Sequence, residues 1–420
     1  MKSKIFLLAL LGYLSTFVVS AQNTGSYISV KDKKVWVKAS GLADRKFLQP
    51  LVIFESGAGD HLGKFDKVFE QVAEFAPVVS YDRLGLGKSD APDNPITEIS
   101  RVEELRELLD AMQLAPPYIL VGNDLGAIFS KTFALAYPEE VAGLVYLDPD
   151  SPLENLNSLE SQLDQDGIDA TAMLESFRQQ QVRFVGNVNT AQQQEVNYLM
   201  GLLTDGKLNW ELHPTFQSPL VVMLGRNKNL FSISNSINTD WKLLNDKLIE
   251  NRINYFEELT ADQPRSSLFI APYTSDYLPS QAPTSVSLLI QEVVLTDPLW
   301  RIGNASRKLD PADFKRFISE MRTYIPAFLL TERDLNMIGY SLMRSDLYMH
   351  AFVLFEDNVK NHPNSANAYD SYGDGLFAMG RVQESLEAFR KAVELGEQEN
   401  HSDLTLFIKN LKRSEELLVN

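Results

Sequence analysis

The chain has 420 residues, of which 44 % are hydrophobic and 10 % aromatic, so it can fill the cores of two or three domains and is not a disordered chain. Its 39 basic and 56 acidic residues give a net charge of −17, which argues against nucleic acid or an anionic membrane surface as a partner. The absence of cysteine excludes disulfides, thiol catalysis and lipid attachment through cysteine.

The first 21 residues have the pattern of an export signal. Lys2 and Lys4 precede an apolar run over residues 5–19, and small residues follow it up to Ala21. The apolar run is too short for a membrane span, which needs about 20 residues. We therefore expect a signal peptide over residues 1–21 and a secreted or periplasmic mature protein without a membrane span.

Strand and helix patterns alternate between residues 22 and 299. A strand-rich entry is predicted at 26–39, and single strands are predicted at 51–54, 77–82, 118–121, 143–147, 219–225 and 267–271. Helices are predicted at 99–112, 127–137, 170–183, 191–203, 239–259 and 283–294. Strands separated by helices form βαβ units, so this part of the chain is predicted to contain a mainly parallel sheet.

The strand predicted at 118–121 runs directly into the sequence GNDLG at 122–126, and a helix pattern follows. A strand, a sharp turn and a helix form a nucleophile elbow, in which small flanking residues let the central side chain stand clear of the sheet. The central residue here is Asp124. Either this carboxylate is a nucleophile, or it marks a site that has lost its chemistry.

Two further motifs accompany the elbow, ESGAG at 55–59 and YDRLGLGKS at 81–89. In their order and spacing, the motifs between residues 50 and 149 resemble the α/β-hydrolase superfamily. The resemblance implies a mainly parallel sheet and a helical lid at about residues 150–218. It would place the oxyanion hole at the backbone N–H groups of Ala58 and Leu125, and we expect Gly57, Gly59 and His61 to line the pocket.

The three catalytic positions that the resemblance implies have all changed type. Asp124 stands at the nucleophile position, Asn227 or Lys228 at the acid position, and Asp276 at the histidine position. A Ser-His-Asp mechanism needs a hydroxyl, a base to take its proton and a group to orient the base. None of these is present, so a serine hydrolase is excluded.

An aspartate nucleophile is used by epoxide hydrolases and haloalkane dehalogenases, but those enzymes also need a histidine to activate water. The candidates for that base are His61 and His213. The lid offers a single tyrosine, Tyr198, where related enzymes use a pair. We therefore prefer a non-catalytic protein that binds a small ligand, and the alternative is a hydrolase with Asp124 as nucleophile and an unrecognised base.

Two carboxylates at one site would repel each other unless a cation neutralises them. Lys228 or Arg226 could pair with Asp124 or Asp276. Alternatively, Asp60 could join these two aspartates in binding a divalent cation. The preferred interpretation includes no metal and no cofactor.

The end of the chain has a different, helical pattern. Gly339 and Gly373 are 34 residues apart, which is the period of a tetratricopeptide repeat (TPR). The positions that match the consensus spacing are Leu335, Ile338, Gly339, Leu342, Ala351, Phe355, Pro363, Tyr369, Tyr372, Gly373, Leu376, Phe389 and Ala392. We expect a helical linker at 300–334 and an all-α TPR module at 335–420 with a capping helix at 404–418. The module either binds a protein or peptide or braces the first domain.

Overall fold

The computed structural model describes residues 25–152, 190–204, 208–212, 216–226, 241–263, 265–272, 274, 277–296 and 298–419. Within these residues, eight strands form one sheet in the order β1-β2-β4-β3-β5-β6-β7-β8. The strands are β1 Ser26–Val30, β2 Lys33–Ser40, β3 Leu51–Glu55, β4 Val78–Tyr81, β5 Tyr118–Asn123, β6 Val141–Leu147, β7 Leu220–Gly225 and β8 Ser266–Ala271. The pairs β1–β2 and β2–β4 are antiparallel, and every other pair is parallel. The carboxyl ends of β3, β5, β6 and β7 therefore meet at one edge of the sheet.

The central strands are buried along their whole length, as parallel strands covered on both faces must be. Alternate side chains of β3 point to opposite faces: Ile53 joins one hydrophobic cluster, and Val52 and Phe54 join the other. Helices cover both faces. They are α1 Asp66–Val72, α2 Glu98–Ala111, α3 Leu125–Ala136, α4 Thr190–Thr204, α5 Trp241–Asp262, the short α6 Leu278–Gln281 and α7 Pro283–Leu295.

A large helical region follows the sheet. Its helices are α8 Pro298–Lys308, α9 Pro311–Met321, α10 Glu332–Arg344, α11 Tyr348–Asn361, α12 Ala366–Ala378, α13 Val382–Glu399 and α14 Leu404–Val419. Two of its helix pairs pack in the same way 34 residues apart. A Cβ atom on Gly339 would lie 2.4 Å from the Phe355 ring, and one on Gly373 would lie 2.5 Å from the Phe389 ring. In each pair, a glycine on one helix thus leaves room for a phenylalanine ring of the next helix.

The helical region shares a hydrophobic cluster with the amino-terminal part of the chain. Phe47 and Leu48, which precede β3, pack against a core that contains Phe314 and Phe317 of α9. The Arg316 guanidinium lies 4.6 Å from the centre of the Phe47 ring, and the Phe47 N–H donates to the Glu320 carboxylate. The two parts of the chain are therefore joined by apolar and polar contacts.

Most predicted elements are confirmed, with bounds that shift by one to three residues. The strand-rich entry predicted at 26–39 is the antiparallel pair β1 and β2, between which Lys31 adopts a positive φ of 54° and turns the chain. The predicted helix at 191–203 is α4, and the helix predicted at 170–183 lies outside the described residues. The domain boundaries stay predictions. None of the helices in the described part of the chain is long and apolar enough to cross a membrane.

Candidate functional site

The elbow is tightly constrained around Asp124. This residue has φ 50° and ψ −119°, a conformation that a non-glycine residue keeps only where its surroundings enforce it. Its N–H donates to the Leu147 carbonyl at 3.0 Å, and its own carbonyl accepts from the Ala127 N–H at 3.0 Å. Neither flanking glycine has room for a side chain: a Cβ on Gly122 would lie 2.4 Å from Ala127, and one on Gly126 would lie 2.2 Å from a backbone oxygen of β3. The backbone thus holds Asp124 at the end of β5.

The loop after β3 contacts the elbow carboxylate directly. The Ala58 N–H donates to Asp124 Oδ2 at 3.3 Å. A Cβ on Gly57 would lie 3.5 Å from the same Oδ2 atom and 3.2 Å from Asp60 Oδ2, so the two carboxylates flank one point in space. Leu125 is the first residue of α3, and N–H groups in a first helical turn have no acceptor within the helix. The assignment of Ala58 and Leu125 to an oxyanion hole remains a prediction.

The carboxylates of Asp60 and Asp124 lie near each other at the elbow, and Lys64 and Arg83 are the neighbouring cations. Burial raises the pKa of Asp60, and Lys64, whose amine is 3.6 Å from that carboxylate, opposes the shift. Tyr277 lies close enough to feel both carboxylates: burial, then Asp60 and Asp124, raise the pKa of its hydroxyl. That hydroxyl is buried without a hydrogen-bond partner in the described part of the chain. A proton, a cation or a hydrogen-bond donor would be favoured here.

His61 has a structural contact. Its ring is exposed, and its Nδ1 accepts the Gly63 N–H at 3.2 Å, which caps the 3-10 helix Leu62–Phe65. A role for His61 in the pocket remains a prediction. Arg226, the second candidate for neutralising the carboxylates, is exposed.

Four other predicted residues, His213, Asn227, Lys228 and Asp276, lie outside the described residues. The part of the chain that the structure describes contains no group of three His, Cys, Asp or Glu side chains that could hold a metal ion.

A buried ion-pair network, which the sequence did not reveal, joins α4 to the loop after β3. The Arg83 guanidinium binds both oxygens of Glu195, at 2.8 and 2.7 Å, and lies 3.3 Å from Glu55 Oε2. Arg101 adds a second cation 2.8 Å from Glu195. The side chains of Glu55, Arg83, Arg101 and Glu195 are all at most 2 % exposed.

The network also fixes the backbone of the loop. The Gly59 N–H donates to Glu195 Oε2 at 2.9 Å, and Gln192 of α4 donates to the Gly59 carbonyl at 3.1 Å. Burial alone would raise the pKa of Glu195, but Arg83, Arg101 and the Gly59 N–H together outweigh burial and lower the pKa. Burial raises the pKa of Glu55 in spite of Arg83. The signal in the sequence was Arg83 two residues after the buried strand β4, since a buried guanidinium needs acidic partners.

Asp148 is a further buried carboxylate near the elbow that was not predicted from the sequence. Asp148 follows β6 with a positive φ of 54°, and its Oδ1 accepts from the Gly225 N–H at 3.0 Å and from Arg252 at 2.5 Å. Arg252 is 1 % exposed and also donates to the Pro149 carbonyl at 2.8 Å. Asp148 thus connects the ends of β6 and β7 to α5.

Comparisons with known proteins give partial matches. Residues 50–193 match a family model described as alpha/beta hydrolase fold. An uncharacterized protein, YqjL of Bacillus subtilis, is 31 % identical over 98 residues, which is 23 % of this chain and 39 % of that protein. The 1-acylglycerol-3-phosphate O-acyltransferase ABHD5 of Rattus norvegicus is 34 % identical over 104 residues, which is 24 % of this chain and 29 % of that protein. The chain thus spans well under half the length of these curated relatives.

Among solved structures, a thermophilic esterase from Thermogutta terrifontis is similar with a TM-score of 0.43 and 17 % identity. The match covers 64 % of this chain and 97 % of the esterase.

Proposed function

The chain has an α/β-hydrolase fold with a large helical region after it, and we propose that it uses this fold to bind a small ligand at the elbow without hydrolysing it. The observation that carries the proposal is the hydrogen bond from the Ala58 N–H to Asp124 Oδ2 at 3.3 Å. In an acyl hydrolase such a donor must aim at the oxygen that becomes negative in the transition state. Here a resident carboxylate accepts from it, so a substrate oxyanion would meet both an occupied donor and a like charge.

The charges near the elbow indicate the kind of ligand. Asp60 and Asp124 flank the same point beside Gly57, and the raised pKa of Asp60 reflects a carboxylate that lacks full compensation for its burial. Tyr277 places a polar hydroxyl in the same surroundings. A ligand with an amine or another hydrogen-bond donor would satisfy these acceptors, whereas an anionic ligand would be repelled.

Binding and turnover are tested with the same variant. Benzylamine and its neutral analogue benzyl alcohol are titrated against the full chain by calorimetry, and p-nitrophenyl acetate, styrene oxide and 1-bromobutane are assayed for turnover. We expect benzylamine to bind at least tenfold more tightly than the alcohol, Asp124→Asn to remove this preference, and no substrate to turn over. Asp110→Asn, an exposed change on α2, is the matched control and should keep the preference. Turnover that Asp124→Asn abolishes and Asp110→Asn preserves would contradict the proposal.

One feature favours a second candidate, a hydrolase that uses Asp124 as nucleophile. The Ala58 N–H binds the Asp124 carboxylate through Oδ2, and a carboxylate held in this way can attack an alkyl carbon. Attack on 1-bromobutane would form an ester with Asp124 and release bromide, and a base would then be needed for water to cleave the ester. A butyl adduct on the Asp124 peptide, found by mass spectrometry after incubation, would support this candidate over the first.

For the helical region, we propose a tetratricopeptide-type module. The matched packing of Gly339 with Phe355 and of Gly373 with Phe389, 34 residues apart, supports this assignment. Such a module either docks a protein or peptide or braces its neighbouring domain. We also propose export of the protein, which rests on the residue pattern of segment 1–21.

A further inference from the structure

A cavity lies at the edge of the sheet opposite the elbow. Its volume is about 400 Å³, within the range of small-molecule sites, and we call it the basal cavity. Its floor is formed by residues that precede β3, β5 and β7 and by the first residues of β6, and its wall is formed by α8 with part of α9. The elbow is at the other end of β5, whose six residues span about 20 Å. The basal cavity is therefore separate from the elbow site.

The floor of the basal cavity is apolar and offers few backbone donors. Pro50, Pro116, Pro117 and Pro138 all line it, and proline has no N–H group. Trp300 of α8 adds a half-buried aromatic side chain. These groups suit a hydrocarbon chain or ring, which needs contact area and no hydrogen-bond partner.

The mouth of the basal cavity is basic. Arg307 and Lys308, which are exposed, line it, and Arg301 lines the cavity as well. Among the described lining residues Glu139 is the single acid, and it is paired with Lys308. The Arg265 guanidinium lies 5.1 Å from the centre of the Trp300 ring and adds another positive charge at the wall. A chain with a net charge of −17 thus concentrates cations around one apolar cavity. Such a concentration selects for negative charge in whatever binds there.

We propose that the basal cavity binds a small amphipathic anion, a molecule with a short hydrocarbon body and a single carboxylate. The hydrocarbon body lies on the prolines and Trp300. The carboxylate faces Arg307 and Lys308, and Asn304 of α8 lies between these cations and Trp300 along the helix. The proposal is independent of the function of the elbow, because Asp124 and its neighbours do not line this cavity.

The experiment compares two probes that differ only in charge. Octanoate and octanamide are titrated separately against the full chain by calorimetry at low salt. We expect octanoate to bind at least tenfold more tightly than octanamide, because a charge-assisted hydrogen bond to a guanidinium is stronger than a neutral one. Adding 0.5 M NaCl should reduce this difference, because salt screens exposed charges.

Three variants localise the binding. Asn304→Trp places a bulky ring against the cavity and should weaken octanoate at least tenfold, and Arg307→Glu should weaken octanoate by a similar factor while leaving octanamide unchanged. Arg390→Glu, an exposed change on α13, is the matched control and should leave both affinities unchanged. All variants are checked for an unchanged circular dichroism spectrum.

Three results would overturn the proposal. One is equal binding of octanoate and octanamide, or binding of neither. A second is octanoate binding that survives both Asn304→Trp and Arg307→Glu. The third is binding of a hexaglutamate peptide without binding of octanoate, which would assign the basic mouth to an acidic protein partner instead.

Discussion

Gly126 illustrates how little space the elbow leaves for change at the level of a single residue. A Cβ at this position would lie 2.2 Å from the Glu55 carbonyl oxygen, a backbone atom that cannot rotate away. We expect Gly126→Ala to lower the free energy of unfolding by about 1–3 kcal/mol, because α3 and β3 must separate to admit the methyl group. Urea unfolding followed by circular dichroism measures this change.

The control for that substitution is Gly303→Ala. Gly303 is also helical, but within the described residues a Cβ on it would have no heavy atom within 4 Å beyond its own helix backbone. Alanine favours a helix over glycine by up to about 1 kcal/mol, so this variant should be as stable as the parent or slightly more stable. If both substitutions had the same effect, close packing at the elbow would not be the cause.

The residues at the elbow could be predicted because their geometry is local. Strand, turn and helix follow one another in sequence, and Gly122, Asp124 and Gly126 occupy the positions that this turn requires. Glu195 could not be predicted in the same way. Its partner Arg83 is far away in sequence, and no periodicity identifies which acid on a helix will meet a buried guanidinium. The capping bond of His61 also depends on a local loop conformation that its sequence does not specify.

At the scale of elements, α4 is held to the loop after β3 by charge. Glu195 is 0 % exposed and meets Arg83 and Arg101, so removal of its charge would leave two buried guanidinium groups with less compensation. Breaking such a buried pair costs about 3–5 kcal/mol. We expect Glu195→Gln to release α4 before the sheet unfolds, with faster hydrogen exchange over residues 190–204 and at Gly59.

The matched control on the same helix is Gln194→Ala. Gln194 is exposed one residue before Glu195, so its truncation should leave exchange in α4 unchanged. Unaltered exchange in the Glu195→Gln protein would show that the ion pairs are not what holds α4 in place.

A buried carboxylate makes the last helices sensitive to pH. Burial raises the pKa of Asp370 on α12 to about 6, and hydrogen bonds from Asn410 of α14, at 3.0 and 3.3 Å, oppose the shift. Because the folded pKa lies above the unfolded value near 3.8, the stabilising contribution is full below that value and is lost as the pH rises through about 6. The loss amounts to at most about 3 kcal/mol.

Asp370→Asn should therefore stabilise the protein above pH 7 and remove the fall in stability between about pH 4 and 7. Asparagine keeps a carbonyl oxygen for Asn410 and carries no charge to bury. Urea unfolding at pH 4 and at pH 7 measures the effect, with the exposed change Glu387→Gln on α13 as the control. If the Asp370→Asn protein kept the pH dependence of the parent, another titrating group would be the cause of that dependence.

Element bounds were predicted well where a helix or strand has a strong period and a clear stop. The elbow helix, predicted at 127–137, is α3 Leu125–Ala136, and the capping helix, predicted at 404–418, is α14 Leu404–Val419. The entry at 26–39 was predicted to be rich in strands, but the turn between β1 and β2 was not located, because Lys31 and Asp32 at that turn are neither glycine nor proline. Side-chain patterns alone therefore did not divide this entry into its two strands.

At the scale of the whole molecule, the sheet and the helical region share a continuous core. The cluster around Phe314 includes residues of α8 to α11 and is extended by Phe47, Leu48 and Leu295 from the sheet region. Arg301 of α8 also donates to the Val293 carbonyl of α7 at 3.0 Å. Contacts of this kind favour unfolding as one unit over independent domains.

Phe47 tests that coupling because it precedes the sheet in sequence and packs on α9. Removal of its half-buried ring should cost about 1–3 kcal/mol, below the 3–5 kcal/mol of a fully buried phenylalanine. If the two regions unfold together, Phe47→Ala must speed the slowest hydrogen exchange equally in β5 and in α11. Phe328→Ala removes a ring that is 75 % exposed and should change neither. Faster exchange in one region alone would show that the helical region is a separate folding unit. That result would contradict a bracing role for the helical region and favour a role in docking a protein or peptide.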